Sequence, residues 1–343
     1  MELSRKPAKA QLDRIRRALT WEAWLLLVVI AAYVVFVLTV QGFTHPTVVH
    51  NVSRAFTILG ILAVGQSLVM AAGGIDLSVG SIFGLAGILV AILSGSGYGF
   101  EATLFAGLGA GCLIGLLNGL IVTKLGFKPF IATFAMLAVV RAVTYLLMKG
   151  TVGLEAQAVR SETWTSLARG ATVLWFYPSF FILLGLAVFA WILLKHTRFG
   201  LWAHGTGGSL DAARAMGVPV DKVRIITYVV SGAAAAMAGM LSVGALQGVR
   251  TFDGAGLELT ALAAVIIGGA SLAGGTSSIL GTLLAVVLIV TVQIGVSQMG
   301  LAPHYQSIVT GLVLLVALVL TRLSLRKDIA VKETTQFVGD GAG

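Results

Sequence analysis

The chain has 343 residues, of which 57% are hydrophobic and 11% charged, with a mean hydropathy of +0.98. A soluble globular domain carries about 25% charged residues, so this composition excludes one and points to membrane spans. The net charge of +9 does not call for nucleic acid, because the basic residues gather between long apolar runs, where they set membrane orientation.

Residues 1–20 are polar and basic and precede an apolar run at 21–40. No small-residue cleavage site follows that run, so it reads as a retained span. Nine more runs follow, at roughly 54–73, 76–95, 102–123, 129–148, 178–195, 223–247, 258–273, 276–298 and 304–321. The expected fold is therefore an all-α polytopic membrane protein of about ten transmembrane helices, with no strand. A crossing helix needs about 20 residues, and the eighth run is short and Gly-rich, as a broken or tilted helix would be. The expected organisation is a basic N-terminus (1–20), one membrane domain (21–322) with a long loop at 196–222, and a tail at 323–343.

With the N-terminus inside, the cytoplasmic segments carry 17 of the 23 basic residues, among them Arg5, Lys6, Lys124, Lys128, Lys195, Arg198, Lys222, Arg322 and Lys332. Inverting the chain would put nearly all of them outside, against the positive-inside rule. Both termini are expected in the cytoplasm.

Two phrases recur. Gly74-Ile75-Asp76-Leu77-Ser78 heads the third span and Gly256-Leu257-Glu258-Leu259-Thr260 the eighth. Phe127-Lys128-Pro129-Phe130 heads the fifth and Leu301-Ala302-Pro303-His304 the tenth. In this topology the members of each pair start on opposite sides of the membrane. That is an inverted repeat of spans 2–5 and 7–10, the architecture of alternating access around a central pathway.

The chain has no G-x-x-x-x-G-K-[ST] phosphate loop, so it is not expected to hydrolyse ATP. Its five histidines are scattered and its single cysteine, Cys112, lies in an apolar run. Neither a metal site nor an internal disulfide is expected, and no cofactor is expected in this chain. Charges inside the spans are few, namely Arg141 in the fifth and Asp76 and Glu258 at span heads. A proton-coupled carrier uses buried acidic or histidine relays. None is evident, so the energy is expected from a partner, with an ion-coupled secondary carrier as the rival class.

The 196–222 loop contains a short helical segment. Ser209 suits an N-cap, Asp211 in the first turn suits the helix dipole, and Gly217 ends the segment. Ala212, Ala213 and Ala215 favour helix. The segment reads either as a helix docked in a partner's groove or as a solvated connector.

Four segments carry a resemblance to the permease subunit of ribose-type sugar ABC importers, whose members serve xylose, arabinose, galactose, allose and autoinducer-2. They are Ala71-Ala-Gly-Gly-Ile-Asp-Leu-Ser-Val-Gly-Ser81, then Asn118-Gly119 through Lys128-Pro-Phe-Ile-Ala-Thr133, then Thr197-Arg-Phe-Gly200 through Ala212-Ala-Arg-Ala-Met-Gly217-Val218. The fourth is Gly254-Ala-Gly-Leu-Glu-Leu259 with Ala263-Ala-Val-Ile-Ile-Gly-Gly269, Ser271-Leu-Ala-Gly-Gly275 and Gly281-Thr282. Together they cover most of 55–320. Family members often carry Asn-Glu where this chain has Ser209-Leu210, and Arg-Gly or Lys-Gly where it has Thr276-Ser277.

The resemblance implies a permease in the bacterial inner membrane that moves a pentose- or hexose-type monosaccharide from periplasm to cytoplasm. Nucleosides, polyols, branched amino acids and autoinducer-2 are the alternative cargoes. It implies a second permease copy or paralogue, two nucleotide-binding ATPase subunits that hold ATP and Mg, and a periplasmic or lipid-anchored sugar-binding protein. It places a coupling helix on the ATPase at Gly208, Asp211, Ala212, Ala213, Arg214 and Gly217.

The pathway candidates are Asp76, Ser78, Asn118, Arg141 and Glu258. Asp76 and Glu258 each read as a pathway group or as the N-cap of the following helix. Asn118 reads as a sugar ligand or as a bond between helices. Arg141 costs roughly 3 kcal/mol in mid-span and must face the bundle, a pathway or an acid. The Gly268-Gly269 and Gly274-Gly275 pairs read as close packing. Trp164 and Trp175 read as membrane-interface anchors or contacts for a binding protein.

Overall fold

The computed structural model describes residues 5–151, 157–158, 161–173, 176–250 and 253–300, with single positions at 305, 308, 311 and 312. It is a helical bundle. In chain order come α1 (Arg5–Thr39), α2 (Pro46–Ala71), α3 (Val79–Gly95), α4 (Phe100–Lys124), α5 (Pro129–Thr151), β1 (Gln157–Ala158) and α6 (Glu162–Arg169). Next are α7 (Pro178–His196), α8 (Arg198–Gly208), α9 (Leu210–Ala215), α10 (Val220–Leu246), β2 (Gly248–Val249), α11 (Leu257–Ile267) and α12 (Ile279–Gln298).

Local chemistry sets the starts. Pro46 and Pro178 open α2 and α7, where a missing N–H costs nothing. Thr197, Ser209 and Ser278 cap α8, α9 and α12 by accepting from Gly200, Ala212 and Gly281 N–H groups. Among the described residues seven helices are long and apolar enough to cross a membrane, while α3 and α11 are apolar but shorter. The chain is an all-α, multi-pass membrane protein. The expected tenth span at 304–321 lies outside the described residues apart from four positions, as do Pro303, Trp175 and the 323–343 tail.

Burial separates centre from rim. Of the α2 span 78% is buried, against 17% for α1, so α2 belongs to the core and α1 lines the edge. The core gathers on α10, which α2, α3 and α4 surround. The α4 face toward α10 is a glycine row at four-residue spacing, Gly107, Gly111, Gly115 and Gly119. A methyl group at Gly111 would run into the Gly232 carbonyl oxygen, and one at Gly119 would stand 2.8 Å from Ile225 Cα. Lipid is as apolar as leucine, so helices in a membrane hold together by close packing, which this row permits. The opposite face presents Phe105 and Leu113, both exposed, to the lipid.

Two sequence expectations are corrected here. A two-residue antiparallel ladder joins β1 to β2, Gln157 opposite Val249 and Ala158 opposite Gly248. It follows Gln247, whose left-handed backbone (φ 53°) ends α10. Trp164 is no interface anchor: it is fully buried, its Nε1 donates to Thr103 Oγ1 at 2.9 Å, and its ring meets Phe100. The ring and its one polar atom are both satisfied inside the bundle, so neither seeks the headgroup layer.

Candidate functional site

Helices α3 and α11 carry the acidic phrases, and each follows non-helical backbone, largely buried before α3 and with Ala255 and Gly256 exposed before α11. Ser231, the partner of the first acid, lies roughly 16 Å along α10 from its first residue at 1.5 Å per residue. Non-helical backbone at membrane depth is tolerated only where protein or a cavity covers it, because unpaired peptide groups are costly in lipid. Paired short, Gly-interrupted helices mark binding sites in transporters built from repeats.

The segment before α3 is held by hydrogen bonds from four helices. Asp76 is fully buried. Its Oδ1 accepts from Ser78 N–H at 3.0 Å and Ser78 Oγ at 2.7 Å, and its Oδ2 accepts from Ser231 Oγ of α10 at 3.0 Å. Asn118 of α4 donates to Ser78 Oγ at 2.8 Å. Gln66 of α2, with its amide turned to satisfy both groups, donates to the Asp76 carbonyl at 3.1 Å and accepts from its N–H at 3.2 Å. The Ile75 carbonyl accepts from Tyr228 Oη at 3.4 Å and Thr133 Oγ1 at 3.1 Å. No cation pairs with Asp76 among the described residues.

Asp76 is therefore not the N-cap of α3. The cap position is Ser78, and the carboxylate bonds Ser78 and Ser231 instead of first-turn N–H groups. The residue ties α10 to the loop rather than finishing a helix. Asn118 takes the helix-bonding role through its amide nitrogen, while its buried Oδ1 has no partner among the described residues.

Glu258 solves the same problem with a charge. Its Oε1 lies 3.3 Å from Arg141 Nη2 of α5. Mid-span Arg141 thus faces an acid, as its cost in a membrane requires. Glu258 does not cap α11 either: the cap position is Gly256, in left-handed backbone. Among the described residues Glu258 Oε2 has no hydrogen-bond partner, and it rests against Gly80 in the first turn of α3. A methyl at Gly80 would run into that oxygen and stand 2.6 Å from the Gly254 carbonyl. The five pathway candidates thus fall into two sets, Asp76–Ser78–Asn118 and Arg141–Glu258, and both meet the start of α3.

Gln66, Ser231, Tyr228 and Gly80 complete the arrangement and were missed by sequence reasoning. Gln66 and Ser231 had a signal. Each is a polar side chain in an apolar span, where an unpaired group is expensive.

A second assembly lies at the α10 N-terminal end. The 196–222 loop folds as two helices, α8 as well as the anticipated α9. Ser209 caps α9 as expected, and left-handed Gly217 follows its end. Ala213 is fully buried and seats α9 on the bundle, whereas Gly208, Asp211, Ala212, Arg214 and Gly217 face outward. Exposed Leu210 and Met216 add apolar anchors to that face. Asp221 of α10 ties the loop down, bonding Lys124 at 2.7 Å and Arg214 at 3.6 Å.

Glycines join this loop to the two short-helix segments. A methyl at Gly207 of α8 would strike the Ala71 carbonyl and the Gly275 N–H and stand 2.9 Å from the Gly73 nitrogen. Gly275 N–H donates to the Ala71 carbonyl at 3.3 Å, and His204 Nδ1 lies 3.2 Å from the Gly275 carbonyl. Burial pushes the His204 pKa down, and its bond to Gly275 opposes that. The Gly274-Gly275 and Gly268-Gly269 pairs serve close packing, Gly268 meeting Gly281 and Thr282 of α12.

No cluster of His, Cys, Asp or Glu among the described residues could hold a metal ion.

A family model described as "Branched-chain amino acid transport system / permease component" matches residues 48–318. Similar curated proteins include the probable ABC transporter permease protein y4mJ of Sinorhizobium fredii, 35% identical over 80% of this chain and 81% of that protein. The ribose import permease protein RbsC of Escherichia coli is 34% identical over 78% of this chain and 83% of its own length. The galactofuranose transporter permease protein YtfT of Escherichia coli is 32% identical over 81% of each. No solved structure matches significantly.

Proposed function

The chain belongs to the ABC-importer permease family described as branched-chain amino acid transport system / permease component, and from that premise we propose that it carries a monosaccharide of pentose or hexose size across the inner membrane. It is a permease component, and in such importers ATP is hydrolysed in a partner subunit. The observation that carries the sugar reading is the set of relatives named for ribose, galactofuranose and arabinose, each aligned over most of its length. The family description names branched-chain amino acids, and a nucleoside, a polyol or autoinducer-2 stays the alternative cargo.

In this reading α3 and α11 are the third and eighth of ten spans in an inverted repeat, with both termini cytoplasmic. The similar placement of their acidic heads supports that assignment. The pathway passes Asp76, Ser78, Asn118, Arg141 and Glu258, between the repeats. On the cytoplasmic side α9 offers Leu210, Ala212 and Met216, with Gly208, Asp211, Arg214 and Gly217 beside them, to an ATPase subunit, and buried Ala213 keeps the helix seated. ATP-driven closure of that partner moves α8 and α9, and the Gly73–Gly207–Gly275 crossing passes the motion to the segment bearing Asp76. A sugar-binding protein delivers cargo at the periplasmic side, and a second permease copy or paralogue completes the pore. ATP and Mg belong to the partner.

The test is uptake of labelled ribose, arabinose and galactose into proteoliposomes holding the permease with its ATPase and binding protein. The reading requires accumulation of a sugar only when ATP is inside. Accumulation by the permease alone, driven by an ion gradient, would overturn it.

A further inference from the structure

A half-open cavity of about 230 Å³ lies near the C-terminal end of α10, beside the first turn of α11 that bears Glu258. It lies where the proposed halves meet, between α2 on one side and α10, α11 and α12 on the other. Its polar lining is Arg54, Ser242, Thr260 and Gln293, and Leu246 and Leu257 contribute to its apolar wall. At about 30 Å³ per water the space holds roughly eight waters. Covalently joined atoms pack closer than waters, so a single sugar ring fits.

Arg54 decides what the cavity takes. It stands roughly 12 Å along α2 from the first residue, at 1.5 Å per residue. Its one side-chain hydrogen bond among the described residues is Nη2 to Asn51 Oδ1 at 3.3 Å, and no described carboxylate pairs with it. A guanidinium has five N–H donors in a fixed fork, so most of its donors are unused by protein. Arg54 is half-buried at the head of the 54–73 run and lines this space, so its free donors are offered there. The Ser242 hydroxyl gives a donor and an acceptor on another wall, Thr260 Oγ1, whose hydrogen goes to the Gly256 carbonyl, gives an acceptor, and Leu246 and Leu257 suit the C–H face of a ring.

We propose that this cavity is a sugar subsite within one permease chain, holding one aldose ring on its way to the Arg141–Glu258 pair, with Arg54 donating to two neighbouring ring hydroxyls. Thr260 lies two residues beyond Glu258 on the same helix, so the subsite and the ion pair are consecutive stations. The inference rests on the monosaccharide reading above.

The test is equilibrium binding of labelled D-ribose and L-arabinose to the purified full-length permease in detergent, without binding protein, alongside uptake in the complete reconstituted transporter. One of the two sugars should bind at one site per chain, and Arg54→Gln should raise the half-saturating concentration tenfold or more. Ala245→Leu, which fills the cavity without touching a charge, should abolish binding while the protein stays monodisperse. Arg54→Lys should restore part of the affinity. Equal binding by wild type, Arg54→Gln and Ala245→Leu, or none by wild type, overturns the subsite. If uptake by the complete transporter persists in either case, the permease reading stands; if wild type takes up no sugar even with its partners, that reading fails as well.

Discussion

The heads of α3 and α11 carry matching phrases yet bury their acids differently. Among the described residues the Asp76 carboxylate is held only by neutral donors, from Ser78 and Ser231. Glu258 is held by a cation, Arg141, and leaves one oxygen bare against Gly80. Hydroxyl and amide donors fix a loop in one place, because each bond has a set direction. An ion pair at 3.3 Å with Arg141 a third exposed keeps its attraction over a range of positions. The contrast makes the Asp76 loop a rigid unit and the Glu258 contact an adjustable one.

The comparison can be broken by removing each acid. Asp76→Ala strands the Ser78 and Ser231 donors in a dry interior, and hydrogen bonds to charged groups contribute about 1.5–3 kcal/mol each. A total loss of about 3 kcal/mol is expected, as a large fall in the midpoint of thermal unfolding in detergent. An unchanged midpoint would mean the network is ornamental.

Arg141→Ala should cost about 2 kcal/mol, less than the 3–5 of a fully buried pair, since the guanidinium is partly solvated. The double variant Arg141→Ala with Glu258→Ala should be more stable than the sum of the singles predicts, by about 1 kcal/mol. Strict additivity in that cycle would contradict the pairing.

Gly80→Ala sharpens the contrast from the other side. Its methyl meets the Glu258 carboxylate, and overpacking costs about 1–3 kcal/mol. A loss near 1 kcal/mol is expected, because an acid held through one oxygen by an ion pair can shift. Gly207→Ala should lower transport per ATP hydrolysed, whereas Gly205→Ala, with nothing within 4 Å of the added methyl, should leave that ratio unchanged. The smallest effect belongs to Lys124→Ala. Its exposed bridge to Asp221 should cost less than about 0.5 kcal/mol.

Much of this arrangement was legible in the sequence. Long apolar runs located seven spanning helices, because a bilayer fixes the length of an apolar helix. The short eighth run announced α11. Ser209 and Gly217 marked α9 through capping chemistry that acts within a turn. Arg141 announced a partner because its charge cannot be left bare. What sequence reasoning missed depends on which residues meet across the fold. The cap reading of Asp76, offered beside a pathway role, fails because caps are local and its partner Ser231 lies on a distant helix. Trp164 looked like an anchor because Trp favours interfaces, and only the fold supplies Thr103 for its ring nitrogen. The Gly80–Glu258 contact has no local signature, since a glycine needed for close approach looks like any other glycine in a membrane helix.

The measurement closest to the central claim, that the heads of α3 and α11 flank one alternating pathway, is thiol accessibility. Single cysteines would replace Ser78 and Thr260 in a Cys112→Ser background, in proteoliposomes containing the ATPase subunits. A membrane-impermeant thiol reagent would be applied from the periplasmic face, without nucleotide and with ATP trapped. The account predicts that labelling at both positions changes between the two states. Labelling that is the same in both states at both positions would contradict it.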